Sequence, residues 1–258
     1  MIALPYILVY LSIASILSSV LDPPDINIAD ETRIIDNHLT KRYGKPFKVG
    51  DIVAHGVSQL GETSRITANA HPMDDENLNV SLIKTPANNG SYTDDYLTLY
   101  WSKEDEELTS ATLNNIFGYI PGFTSSVDPR YVFNRDYEAG RVIKLDEMLE
   151  KYKDKVSYSL RVDLDFIDQS SSQTDLNAKF YQVADYAKNR FKPGSSTASF
   201  SYETADMIYS CSLYGVKLSL IESPDQLSEC WSAKPKGKTT TPSGTTISNS
   251  IQSISHFR

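Results

Sequence analysis

The chain has 258 residues, 40% of them hydrophobic and 22% charged, enough apolar content for one large core or two small ones. Acidic residues exceed basic ones, 33 to 25, for a formal charge of −8, and the longest basic cluster is only Lys234, Lys236 and Lys238. Such a surface repels a polynucleotide backbone, so nucleic acid is excluded as a partner class.

Residues 2–21 contain no charged side chain. As a helix they cover about 30 Å, the thickness of bilayer hydrocarbon. Ser18 and Ser19 fit a signal-peptidase site near the end of the run, and Asp22-Pro23-Pro24-Asp25 follows as an extended polar linker. Residues 1–21 therefore read as a signal peptide or membrane anchor that places the rest of the chain outside the cytosol. Membrane contact, if any, runs through residues 2–21.

A helix is predicted over residues 29–42. Asp30 is its expected cap, and Ile34, Ile35, His38, Leu39 and Arg42 recur at helical spacing. Gly44 stands where a helix C-terminal glycine belongs. Four strand-length runs follow, at 48–58, 63–70, 77–85 and 95–101, separated by turn residues. In the last run Leu97, Leu99 and Trp101 alternate with Tyr96, Thr98 and Tyr100, which predicts a strand with the first set buried. Ser102 is expected to cap a helix over 103–117, ended by Gly118. Residues 26–120 thus read as a first α+β module.

Residues 121–140 are expected to be a linker or a long loop, rich in aromatics. A second module is predicted over 141–232. It opens with a short helix at 145–153. The cleanest alternation in the chain follows, with Val156, Tyr158, Leu160, Val162, Leu164 and Phe166 on one face of a strand. An amphipathic helix over 174–191 carries Leu176, Phe180, Val183, Ala184, Ala187 and Phe191 as its stripe. Strands at 197–203 and 207–222 complete it, the second broken near Tyr214-Gly215. From residue 233 to 258 the composition turns to Lys, Thr, Ser, Pro and Gly, which predicts a disordered tail. The expected fold is α+β, with antiparallel sheets that each carry a helix on one face.

Two cysteines, Cys211 and Cys230, form one expected disulfide in an oxidising compartment, contributing roughly 3 kcal/mol through loop closure. The best metal candidate is the loop His71, Asp74, Asp75 and Glu76, an imidazole with three carboxylates, although an ordinary polar hairpin turn is the favoured reading of it. Asp163 and Asp165 share one strand face about 6.8 Å apart, a spacing that suits a general acid/base pair as well as a solvated sheet face. No nucleophile elbow, phosphate loop or dinucleotide fingerprint occurs, and no cofactor is expected.

The turn Tyr43-Gly44-Lys45-Pro46-Phe47-Lys48-Val49, where a helix runs into an antiparallel sheet, resembles that of small exported modules of Gram-positive bacteria. The resemblance spans residues 31–101. It implies export and an α+β module, and no activity.

The expected function is that of an exported or cell-surface, non-enzymatic binding protein for a protein or surface ligand. One alternative is a secreted hydrolase with a cleft between two modules, using His55, His71, Asp163 and Asp165. Another is a membrane-anchored structural or assembly subunit.

Overall fold

The structure, a computed structural model, describes residues 26–55, 65–85, 90–166, 172–191, 195–236, 238–240 and 246–248. The apolar run at 2–21 and most of the predicted tail lie outside the described residues. Among the described residues no helix is long and apolar enough to cross a membrane. The fold is α+β and has two compact units, each entered twice by the chain. The first holds the described residues up to Trp101 together with Pro129–Met148, and the second holds Ser102–Asp128 and the described residues from Leu149 onward.

In the first unit, helix α1 (Ile28–Tyr43) extends one residue beyond the expected span at each end. Asn27, not Asp30, is the cap: its side chain accepts the Asp30 N–H, and an Asn oxygen serves as well as an Asp one. The helix ends as predicted, on Gly44 in the left-handed region at φ 68°. That glycine is required twice over, because a Cβ there would also lie 1.9 Å from the Gly140 carbonyl oxygen. Strands β1 (Phe47–His55), β2 (Arg65–Pro72), β3 (Val80–Lys84) and β4 (Tyr92–Asp94) form an antiparallel meander in sequence order. A register shift between Val49 and Ile52 accommodates Asn69, whose side chain accepts the Asp51 N–H. Asn69 Oδ1 fills the space a Cβ on Gly50 would take.

Ile35 and Leu39 of α1 are buried with Val80 and Leu82 of β3 and with Ala68 and Ala70 of β2. An aromatic cluster joins them. The Tyr43 ring lies 4.5 Å from Tyr96 and 6.0 Å from Phe47, within the range of favourable ring pairs. At the other end of α1, Glu31 accepts hydrogen bonds from Lys84 and Tyr92, which ties the helix to β3 and β4. Burial alone would raise the Glu31 pKa, but these two donors hold it below its ordinary value.

The predicted strand at 95–101 is instead the start of helix α2 (Tyr96–Phe117). Tyr96, Leu97 and Trp101 are all fully buried, a helical spacing of i, i+1 and i+5. Over seven residues an alternating aromatic and aliphatic run satisfies both periods, and the local caps decide between them. Asp94 Oδ1 accepts the N–H of Tyr96, the first helical residue, and so supplies an orphan donor with a partner. Ser102 then falls inside the helix, and its hydroxyl accepts the Val127 N–H instead of capping.

The span read as a linker is also structured. It contains β5 (Gly122–Pro129) and the short helix α3 (Tyr131–Asp136), the first mostly in the second unit and the other in the first. Helix α4 (Leu145–Tyr152) and strand β6 (Val156–Phe166) follow where the sequence placed them.

The second unit is built on a sheet ordered β5-β6-β7-β8-β9, from β6, β7 (Ser196–Glu203), β8 (Met207–Tyr214), β9 (Ser232–Pro235) and β5. The expectation of a wholly antiparallel sheet is corrected here: β6 and β7 are parallel. Helix α5 (Gln173–Arg190) connects them, and a crossover helix of that length returns the chain to the same end of the sheet. Strands β7–β8 and β8–β9 pair antiparallel. The Tyr214-Gly215 break is real, but the short helix α6 (Val216–Leu220) follows it where a strand was expected. Strand β9 reaches into the segment read as tail, and β10 (Lys238–Thr240) pairs with β11 (Thr246–Ser248) beyond it.

The predicted faces of β6 and α5 meet in the core. Phe180 is fully buried, with Phe200 at 4.9 Å, Trp231 at 5.3 Å and Phe117 at 5.8 Å between ring centroids. Asp105 of α2 has no solvent exposure and receives Arg190 Nε at 2.8 Å and the Thr109 hydroxyl at 3.0 Å. The disulfide Cys211–Cys230 is formed, tying the buried Cys211 of β8 to the end of the 3-10 turn at Pro224–Glu229.

Gly44→Ala is expected to destabilise the first unit by more than the roughly 1–2 kcal/mol of a left-handed alanine, because of the Gly140 contact. Urea unfolding followed by Trp101 fluorescence in a Trp231→Phe background measures it. Replacing both cysteines by alanine is expected to cost the second unit about 3 kcal/mol. Urea unfolding followed by Trp231 fluorescence in a Trp101→Phe background checks this, and an unchanged midpoint would show that the bridge is not formed in the folded protein.

Candidate functional site

Neither sequence-derived constellation converges on a site. Asp74 is held by Lys45 Nζ, at 3.0 and 3.2 Å from its two oxygens, as an ordinary turn carboxylate. His71 lies at the end of β2 with its Nε2 buried and without a hydrogen-bond partner. Among the described residues, no group of three or more His, Cys, Asp or Glu has the geometry to hold a metal ion, so His71, Asp74, Asp75 and Glu76 do not form a cage. Asp163 accepts both Arg161 Nε, at 2.8 and 3.0 Å, and the Ser201 hydroxyl, on the wet face of the second unit's sheet. Asp165 is exposed on the same face. Neighbouring hydroxyls there pair among themselves, Ser199 with Ser212 and Ser210 with Ser232. The pattern is that of a solvated strand surface. His55 shares a hydrogen bond with Thr67 across β1 and β2.

The notable polar site lies in the first unit, on residues whose chemistry has no local signature. Asp94, the last residue of β4, has a side chain with no solvent exposure. Its Oδ1 accepts Tyr43 Oη at 2.6 Å and the Tyr96 N–H at 3.1 Å. Its Oδ2 accepts His38 Nε2 at 3.2 Å and Arg42 Nη1 at 3.3 Å. Arg42 Nη2 continues to Asn134 Oδ1 at 2.9 Å, and Asn134 Nδ2 returns to the Asp94 carbonyl at 3.2 Å. Burial by itself would push the Asp94 pKa up. The His38 hydrogen bond, the Arg42 charge and the Tyr43 hydroxyl outweigh it and hold the carboxyl below its ordinary value. The same contacts act oppositely on Tyr43, whose pKa is raised by burial and then by the Asp94 charge, so it stays a donor.

On one side of this network is a pocket of about 110 Å³ lined by His38, Lys41, Arg42, Arg135, Tyr137 and Glu138. His38, Lys41 and Arg42 lie at i, i+3 and i+4 on α1 and so share one helix face. Arg135, Tyr137 and Glu138 come from the end of α3 and the segment after it. Tyr137 is fixed by donating to the Arg141 carbonyl and accepting the Ile143 N–H. Arg42 is 92% buried in its side chain by an exposure of 8%, and its Nε–H has no partner. The residues lining the pocket include no Ser, Thr or Cys, and the hydroxyl they do include, that of Tyr137, is engaged by the Arg141 carbonyl and the Ile143 N–H.

The sequence did carry one signal for this site. His38 and Arg42 lie on the same stripe as Ile35 and Leu39, and a titratable residue on a core-facing stripe needs a buried partner. The identities of Asp94 and Asn134 as those partners have no such signal.

Asp94→Asn is expected to destabilise the first unit by about 3–5 kcal/mol at pH 7, since it leaves the Arg42 charge uncompensated. The carboxyl's pKa is lowered on folding, so its contribution is complete above the unfolded value of about 3.9 and is lost as pH falls through the folded value. Urea denaturation of both proteins across pH 2–7 checks this: the gap between them is expected to close on acidification.

No family model matches this chain, and no curated protein does. A weak structural similarity, with a TM-score of 0.34 and 10% sequence identity, runs over 73% of this chain and 77% of a DUF5037 family protein from Ruminococcus gnavus ATCC 29149.

Proposed function

We propose that this chain is an exported binding protein that takes a small solute, or an exposed group of a larger ligand, into the first-unit pocket without transforming it. The observation that carries this reading is the pocket itself: His38, Lys41, Arg42, Arg135, Tyr137 and Glu138 line one cavity over a rigid buried network. Preorganised polar groups around a small cavity are what solute recognition needs. The export half of the reading is supported by the uncharged stretch at 2–21 and by the Cys211–Cys230 disulfide, a bond that persists in oxidising compartments.

An imidazole oriented by a buried carboxylate is also part of many hydrolytic sites, so His38 and Asp94 favour a hydrolase as the second reading. Such a reaction would use water directly, as the hydroxyl in the pocket lining, that of Tyr137, is held by the Arg141 carbonyl and the Ile143 N–H.

A solute screen on the full chain tests both. A ligand at 100 times its Kd is expected to stabilise the fold by about 2.7 kcal/mol and to raise the melting temperature by several degrees. The shift is expected to vanish in Glu138→Trp, which fills the pocket mouth, and the solute is expected to be recovered unchanged. Consumption of the solute would support the hydrolase instead. A shift that survives Glu138→Trp would move the binding site elsewhere.

A further inference from the structure

The wet face of the second unit's sheet is a grid of small hydroxyls. In register across β6, β7 and β8 stand Ser159, Thr197 and Tyr214. The next row is Arg161, Ser199 and Ser212. The third is Asp163, Ser201 and Ser210, extended by Ser232 of β9. Apart from Tyr214, Arg161 and Asp163, every side chain in these rows is a serine or a threonine. All are exposed or half-buried, about 4.8 Å apart between strands and about 6.8 Å apart along them. A hydroxyl has one donor and two acceptor positions. The paired Ser199 and Ser212 therefore still offer a donor and several acceptor positions, and the paired Ser210 and Ser232 still accept. The two charges are spent on each other, with Arg161 Nε 2.8 Å from Asp163. Tyr214 stands on the same face, 60% exposed, and makes no hydrogen bond or ring contact among the described residues.

We infer that this face binds an uncharged polysaccharide, with Tyr214 stacking on a sugar ring and the hydroxyls beside it meeting the hydroxyls of the polymer. A sugar ring is amphipathic: its C–H face is apolar and its rim is hydroxyl. An exposed tyrosine ring covers the first, and small hydroxyls that both donate and accept match the second. Charge selects the polymer. Because Arg161 and Asp163 neutralise each other, the centre of the grid has nothing to draw an ionic partner, and the chain's charge of −8 repels an acidic one. A protein partner fits less well, since protein interfaces are depleted in serine. The surface is separate from the first-unit pocket and does not depend on it.

Affinity electrophoresis of the full chain tests it, in gels containing hydroxyethyl cellulose, arabinoxylan, galactomannan or soluble starch, with polygalacturonate as the acidic control. At least one neutral polymer is expected to retard the protein, and polygalacturonate is not. Tyr214→Ala is expected to raise the dissociation constant about tenfold, the worth of one well-placed aromatic contact. Ser212→Glu, which sets a charge in the uncharged centre, is expected to weaken binding at least as much. Neither side chain is buried, so the melting temperature of both variants is expected to stay that of the parent. Val216→Ser, at an exposed position on α6, and Glu138→Trp, in the first-unit pocket, are expected to leave the retardation intact. Retardation by none of the neutral polymers overturns the inference. So does binding lost through Glu138→Trp, which puts the polymer in the pocket, or weakened as much by Val216→Ser as by Tyr214→Ala, which marks an apolar docking patch. Sedimentation velocity over a range of concentrations adds one more check: self-association that Ser212→Glu abolishes makes a second copy the occupant and overturns the polysaccharide.

Discussion

A carboxylate removed from water stays ionised only when neighbours replace the hydrogen bonds and positive charge that water provided. In the first unit Asp94 imposes that constraint. Its two oxygens receive the last two turns of α1 through His38, Arg42 and Tyr43, and the start of α2 through the Tyr96 N–H. Asn134 of α3 closes the circuit on its backbone and on Arg42. Each partner has to be at one position for the carboxylate to be satisfied, so the network sets how α1, α2 and α3 stand on the edge strand β4. The pocket is a by-product of this packing: orienting His38 and Arg42 toward Asp94 sets one turn of α1 with its polar face beside the residues that follow α3.

The second unit meets a similar demand with less polar machinery. Asp105 is satisfied by Arg190 and Thr109, which joins α2 to the last turn of α5. Most of the rest is apolar: Phe180 at the centre of α5 lies among Phe117, Phe200 and Trp231. Because α5 crosses from β6 to β7, it covers one face of a parallel pair, and the other face keeps Arg161, Asp163 and a field of small hydroxyls toward water. The two aspartates that looked chemically suggestive belong to that wet face. Asp163 is spent on Arg161 and Ser201.

Long periodic segments were legible in the sequence. The alternation of β6, the stripe of α5, the glycine stop of α1 and the pairing of the two cysteines all hold in the structure, because each follows from contacts along one element or from a choice with a single partner. Short runs failed where two periods fit equally: seven residues of alternating Tyr, Leu and Trp became the first turns of α2 once Asp94 accepted the Tyr96 N–H. The irregular aromatics between residues 121 and 140 were not legible either. Their strand and short helix are stabilised by partners far away in the chain, as when Ser157 of β6 reaches the Asp128 carbonyl.

By itself the sequence determined the α+β class, the long elements and the one possible intramolecular disulfide, since periodicity and cysteine count are local or exhaustive properties. Tertiary structure decided the direction of β6 against β7, the identity of the edge strand β4 and the whole of the pocket. The reason is separation: Arg42 meets Asp94 and Asn134 across 52 and 92 residues, and a charge chosen to satisfy another that distant leaves no pattern in its own neighbourhood.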